Sequence, residues 1–304
     1  MSSARGLFRL HLGVGALAVG TVALSATVAA RAVEFAAPSF SEVVTLCRQA
    51  LVPSLDLNRV ALLVLAGLSA LVVFRAVRSA VRQLRATRRF LRALCVVGCI
   101  ETLPGTVLVD DPRPRAFCAG YLRRRIYVST GTLALLSPAQ LKAVLAHEEH
   151  HARSRDPLRM LVAQTLADAA FFVPVLRRSC ERHAALAEVA ADDAAVRVSG
   201  RRGPLAAALL AFDAHGGPAG VAPERVDHLT GRRSGWDVPA RDVVNGVATI
   251  AALAVVAAAT ALTSAAGGLT VASVALSGCT IMVVSFPVFS ALAAAQLLQR
   301  RRMA

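Results

Sequence analysis

Residues 137–156 read Ser137-Pro-Ala-Gln140-Leu-Lys-Ala-Val-Leu-Ala-His147-Glu148-Glu-His-His151-Ala-Arg-Ser-Arg-Asp156. Ser137 is a good N-cap, Pro138 suits the first helical turn, and Gln140 completes a capping-box pattern. Leu141, Val144 and Leu145 then repeat at helical spacing. His147 and His151 stand four apart, so a helix places both imidazoles on one face, one turn apart. Two imidazoles so placed can grip one Zn²⁺, and Glu148 can reach the metal's open position. The competing reading is a solvated helix face of charged and histidine residues. The apolar turn before the motif and a candidate third ligand downstream argue for the metal.

Composition bounds what surrounds this helix. The chain has 304 residues, 56% of them hydrophobic, and a mean hydropathy of +0.57. An ordinary soluble domain is about half apolar or less. The net charge of +15 is nearly all arginine, since Lys142 is the one lysine. A basic excess can mean nucleic acid or a membrane surface. Long apolar runs with only 5% aromatics favour the membrane, and no direct nucleic-acid partner is expected. Six cysteines (47, 95, 99, 118, 180 and 279) form no C-x-x-C pair, and most read as reduced, buried small hydrophobes. Cys95 and Cys99 are expected to share a helix face.

The N-terminal half reads as a membrane hairpin. Arg5 and Arg9 precede an apolar run over residues 10–30, long enough to cross a ~30 Å hydrocarbon core. Its end faintly resembles a signal-peptidase site, but the run is long for a leader, so a retained helix is expected. His11 is expected at the interface. After a polar loop over 31–58, a second apolar run covers 60–74. Arg75, Arg78, Arg82, Arg85, Arg89 and Arg92 follow at alternating spacings of three and four, which makes one helical stripe. Such a segment against a membrane span stays cytoplasmic. It reads as a grip on anionic headgroups or as a solvated topology signal.

Residues 106–129 are the β-like stretch. Val107-Leu108-Val109 ends at Asp110-Asp111-Pro112. Ala116-Phe117-Cys118 and Ile126-Tyr127-Val128-Ser129 flank a short connection with Gly120 and read as a hairpin. Beyond the motif, Asp156-Pro157 reads as a fresh N-cap. Residues 158–176 read as a core or surface-immersed helix ending near Pro174, because Arg159, Gln164 and Asp168 are costly in lipid. Residues 181–198 form a further helix carrying Glu188-x-x-Ala191-Asp192. Glu188 reads as the third metal ligand, with a surface glutamate as the alternative. Asp192, one turn on, can accept an N–H from a ligating histidine and fix its tautomer. His183 is expected at the surface.

Residues 199–242 read as a linker broken by glycine and proline. Residues 243–265 and 270–298 supply a third and a fourth span, flanked by arginines that keep both ends cytoplasmic. The fold class expected is therefore a mainly α membrane protein, with four transmembrane helices around a small α+β domain at the cytoplasmic face. Residues 1–95 would form the N-terminal hairpin and Arg-rich helix, 96–242 the domain bearing the motif, and 243–304 the C-terminal hairpin.

The motif set resembles a known family. His147-Glu148-x-x-His151 followed by Arg155-Asp156, then Glu188-x-x-Ala191-Asp192, between membrane hairpins, is similar to the BlaR/MecR-type antirepressor membrane metallopeptidases. Ala116-Phe117-x-x-Gly120 and Ile126-Tyr127-Val128-Ser129 fit that family too. The resemblance implies a gluzincin domain with Zn²⁺ held by His147, His151 and Glu188, and Glu148 as general base. It implies a protein or peptide substrate, a cytoplasmic transcriptional repressor or the protein itself, cleaved at the cytoplasmic membrane face. The extracellular penicillin-binding sensor of some relatives is expected to be missing. Heat-shock membrane proteases and CAAX-processing proteases share both motifs and rank second, because their glutamate usually lies further along. A zinc-bearing membrane adaptor without catalysis is the non-enzymatic alternative.

Overall fold

The computed structural model describes residues 4–34, 41, 57–100, 103, 105–215, 240–264 and 269–270. In chain order the elements are α1 (Ala4–Ala32), β1 (Val33–Glu34), α2 (Leu57–Arg92), β2 (Val96–Cys99), β3 (Thr106–Val109), β4 (Ala116–Ala119) and β5 (Arg125–Ser129). There follow α3 (Thr130–Leu135), α4 (Pro138–Ser154), α5 (Asp156–Ala169), α6 (Pro174–Ser199), α7 (Gly203–Ala214), α8 (Ala240–Ser264) and β6 (Leu269–Thr270). The chain is mainly helical with a small sheet. Among the described residues three helices are long and apolar enough to cross a membrane: Ala4–Arg31, Val60–Arg92 and Ala240–Leu262. The fourth expected span, residues 270–298, lies outside the described residues but for its first residue.

Two compact units can be distinguished. One comprises Val19–Val72 and Thr249–Ala304. Within it Ala29 and Leu62 pack together. Ser69 Oγ lies 2.7 Å from the Leu65 carbonyl and 3.2 Å from that of Val22, so its polar atom is satisfied between two apolar helices. β1 and β6 pair in parallel over two residues each.

The other unit comprises Met1–Ala18 and Val73–Ala248 and carries the motif. Its sheet has the order β2-β3-β5-β4. β4 and β5 form the expected antiparallel hairpin, Phe117 facing Tyr127 and Ala119 facing Arg125. The turn between them requires Gly120, whose φ of +100° is glycine territory. β3 pairs parallel with β5, and its Val107 and Val109 are buried. Gly131 lies where the Pro112 carbonyl would strike any Cβ, so the turn after β3 folds directly over the start of α3.

Several expectations are corrected. Cys95 and Cys99 do not share a helix face, because α2 ends at Arg92 and residues 96–99 form the edge strand β2. Residues 203–214 are not linker. Gly200 at φ +72° caps α6, Pro204 lies in the first turn of α7, and Leu205 and Ala208 of α7 are buried against α4. Glycine and proline there punctuate two helices; they do not break one. The helix after the motif ends at Ala169, before Pro174, which opens α6 instead. His183 is buried at 1% exposure, its Nδ1 3.2 Å from the Ala4 carbonyl. His11 is equally buried, Nδ1 2.7 Å from Ser179 Oγ and Nε2 3.1 Å from the Ala163 carbonyl. Both imidazoles are taken up in docking the start of α1 onto α5 and α6. The Arg stripe is not uniformly solvated either, since Arg75 and Arg82 both bond Asp168 of α5.

Candidate metal centre

The helix bearing the motif begins as its sequence dictates. Ser137 Oγ accepts from the Gln140 N–H at 3.4 Å, and Gln140 Oε1 accepts from the Ser137 N–H at 2.8 Å. These satisfy two donors that a bare helix start would strand. α4 packs chiefly on α6. Their contact is lined by small residues: Ala143 and Ala146 of α4, and Ala187, Ala191 and Ala195 of α6, all buried. Small side chains let two helices approach closely, and that approach sets the distance between the motif and Glu188.

His147 Nε2 and His151 Nε2 lie 3.1 Å apart. Glu188 Oε2 is 3.5 Å from the first and Oε1 is 3.4 Å from the second. A tetrahedral Zn²⁺ with bonds of about 2.0–2.1 Å requires its donors roughly 3.3 Å apart. The three separations bracket that figure, and no other group of metal-ligating atoms converges this way among the described residues. Two imidazole nitrogens and one carboxylate oxygen suit zinc in chemistry as well as spacing.

The other nitrogen of each ring faces a carboxylate. His147 Nδ1 is 2.9 Å from Asp192 Oδ1, and Asp192 is wholly buried. His151 Nδ1 is 2.9 Å from Asp156 Oδ2. A carboxylate at Nδ1 holds the proton there and leaves Nε2 as the lone-pair donor. Asp192 was legible from its place one turn after Glu188. Asp156 was not, because it stands five residues after His151 and no helical face joins those positions. The backbone of Arg155 brings Asp156 to the ring. It adopts the left-handed conformation, φ 58° and ψ 34°, and serves at once as the C-cap of α4 and the N-cap of α5. Asp156 is therefore the first residue of α5 and not its N-cap. The reversal at Arg155 turns its side chain back onto the ring.

Glu148 lies beside this group in a cavity of about 430 Å³, with Phe117, Cys118, Met160 and Phe212 among its walls. Burial pushes its carboxyl above the ordinary range. The two histidines and a hydrogen bond from the Cys118 backbone oppose that shift, and the Glu188 charge adds to it. β4, the sheet's margin strand, supplies Cys118, so the sheet edge borders the motif directly.

The class defined is a two-helix His-His-Glu centre with a partly buried carboxylate beside it and a sheet edge alongside. Comparison with known proteins adds a family likeness. Residues 80–212 match the family model of peptidase family M48, whose members are zinc-dependent. Over 82 residues the chain is 35% identical to Protease HtpX homolog 2 of Methanosarcina mazei, covering 26% of this chain and 28% of the relative. The same figures hold for Protease HtpX homolog 2 of Methanosarcina acetivorans. Protease HtpX homolog of Acidiphilium cryptum is 43% identical over 68 residues, 22% of this chain and 24% of that protein. The chain thus spans about a quarter of the length of the curated relatives it matches. The likenesses are to the M48, HtpX-like kind of peptidase, and they do not single out the antirepressor type.

Proposed function

We propose that this protein is a multi-pass membrane zinc endopeptidase that hydrolyses peptide bonds at the cytoplasmic membrane face. The observation that carries the reading is the convergence of His147 Nε2, His151 Nε2 and Glu188 within 4.8 Å of one another, with Glu148 on the same helix beside them. His147, His151 and Glu188 would hold the ion; Asp156 and Asp192 orient the two rings. Zn²⁺ bound there would supply Lewis acidity toward the scissile carbonyl and the attacking water. Glu148 accepts the proton of that water and returns it to the leaving amine nitrogen. The exposed Arg78, Arg85, Arg89 and Arg92 beyond the apolar part of α2 support the cytoplasmic orientation.

The HtpX likenesses suit the alternative reading, a heat-shock-type membrane protease in protein quality control, at least as well as cleavage of one repressor. The experiment is a comparison of zinc content and peptide cleavage in wild type and Glu148→Gln. The variant is expected to keep its zinc and lose cleavage. Cleavage by zinc-loaded Glu148→Gln would remove Glu148 from its role, and wild type without bound zinc would remove the reading itself.

A further inference from the structure

A second cleft, of about 850 Å³, lies between α2, β4 and α5. Ala116, Phe117 and Cys118 of β4 and Pro157 and Met160 of α5 line both this cleft and the metal cavity. The two spaces therefore meet along one edge strand.

The cleft is built and not a packing gap. At one end Asp168 ties α5 to α2: its carbonyl accepts from Arg75 Nε at 2.8 Å, and its Oδ2 from Ser79 Oγ at 2.6 Å and Arg82 at 3.2 Å. At the other end Thr87 Oγ1 and Tyr121 OH share a hydrogen bond of 2.7 Å, which ties α2 to the turn after β4. Beyond Thr87 on α2, Phe90 contacts Phe117, ring centres 5.2 Å apart, and Phe117 stacks on Tyr127. Gln83, Ala86, Thr87 and Phe90 present one face of α2 to the cleft, at the spacing a single helix face requires.

Its chemistry selects an occupant. Among the described residues the lining has no acidic group and one charged residue, Arg115, which pairs with Asp111 at 3.6 Å. The rest is apolar wall with neutral amides and hydroxyls, Gln83, Gln164, Thr87 and Tyr121. Apolar wall suits apolar side chains, and the polar groups among it are already matched in part: Gln83 Nε2 lies 3.1 Å from Ser79 Oγ, and Thr87 and Tyr121 bond each other. Among the described residues β4 has a strand neighbour on one side only, so a chain running along it has main-chain groups to meet besides that of Cys118, which bonds Glu148.

We propose that this cleft is a second subsite, which receives the apolar side chains of an extended polypeptide running along β4 from the metal cavity. The inference rests on the peptidase reading and deepens it: the substrate is an extended segment with apolar residues several positions from the cut.

The test uses the full-length, zinc-loaded protein in detergent. A short peptide centred on the cleaved bond is compared with versions extended at either end by four apolar or four Ser/Gly residues. One apolar extension is expected to raise kcat/KM about tenfold, the effect of burying a single aliphatic side chain, and the polar ones to raise it little. Ala86→Phe, and the milder Ala86→Leu, are expected to bring the ratio of extended to short near one. An unchanged ratio in both variants, or an equal gain from polar extensions, would overturn the subsite. Binding of the labelled apolar peptide, followed by fluorescence anisotropy in the Glu148→Gln background, separates this from catalysis. Adding Ala86→Phe or Ala86→Leu there should weaken binding about tenfold. Equal binding overturns the subsite. Ala86-dependent binding without cleavage by wild type retains the subsite and rejects the peptidase.

Discussion

Asp156 lies 2.9 Å from His151 across the junction of two helices, brought there by one residue, Arg155, in the left-handed conformation. A capping position in the linear chain thus becomes a support for the metal centre. Replacing Asp156 by Asn keeps size and loses the charge that holds the Nδ1 proton. Zinc affinity is expected to fall by about 10–100-fold. Competition against a fluorescent chelator measures it, and unchanged affinity would separate Asp156 from the metal.

In the proposed centre Glu188 completes the donor set from a different helix. Glu188→Ala leaves two imidazoles and should strip most of the zinc during dialysis against a weak chelator. Glu181→Ala, on the same helix but paired with Arg177 at the surface, should retain it. Elemental analysis of both proteins decides the point.

The approach of α4 to α6 depends on Ala191, which is fully buried. Ala191→Leu forces added methylenes into that contact and is expected to destabilise by about 1–3 kcal/mol. Thermal unfolding should show a lowered Tm, and zinc affinity should fall with it as Glu188 is pushed from the imidazoles. A fall in Tm with affinity intact would mean that the donors reach one another by adjustment elsewhere.

His183 titrates against its surroundings. Burial, the largest influence, lowers its imidazole below the ordinary 6.5; the Asp156 charge and the Ala4 carbonyl raise it, and Arg159 lowers it. The unfolded chain then takes up a proton that the folded protein refuses. Stability from this group is fully present above about pH 6.5 and is lost progressively as pH falls toward the folded-state value. His183→Gln should flatten that part of the acid limb in unfolding curves between pH 7 and about 5. An unaltered limb would assign acid sensitivity to other groups.

Sequence alone reached the helix of residues 138–154, its capping box, the pairing of Ala116–Ala119 with Arg125–Ser129, and the long apolar helices, because each depends on neighbours a few residues apart. Periodicity and capping chemistry are local, so they survive in the linear order. His147 and His151 share a face for the same reason. Glu188 and Asp192 were legible as partners only through their own one-turn spacing.

Tertiary structure decided the rest. It turned Asp156 onto His151 through a backbone reversal that no periodic pattern encodes. It buried His11 and His183, which polarity alone had assigned to the interface and the surface. It folded residues 203–214 into a helix against α4, and set α2 beside β4 to leave a cleft. In each case the outcome depends on which surfaces remain to be covered once the helices meet. That is a property of the assembled chain, and no short stretch of it carries the information.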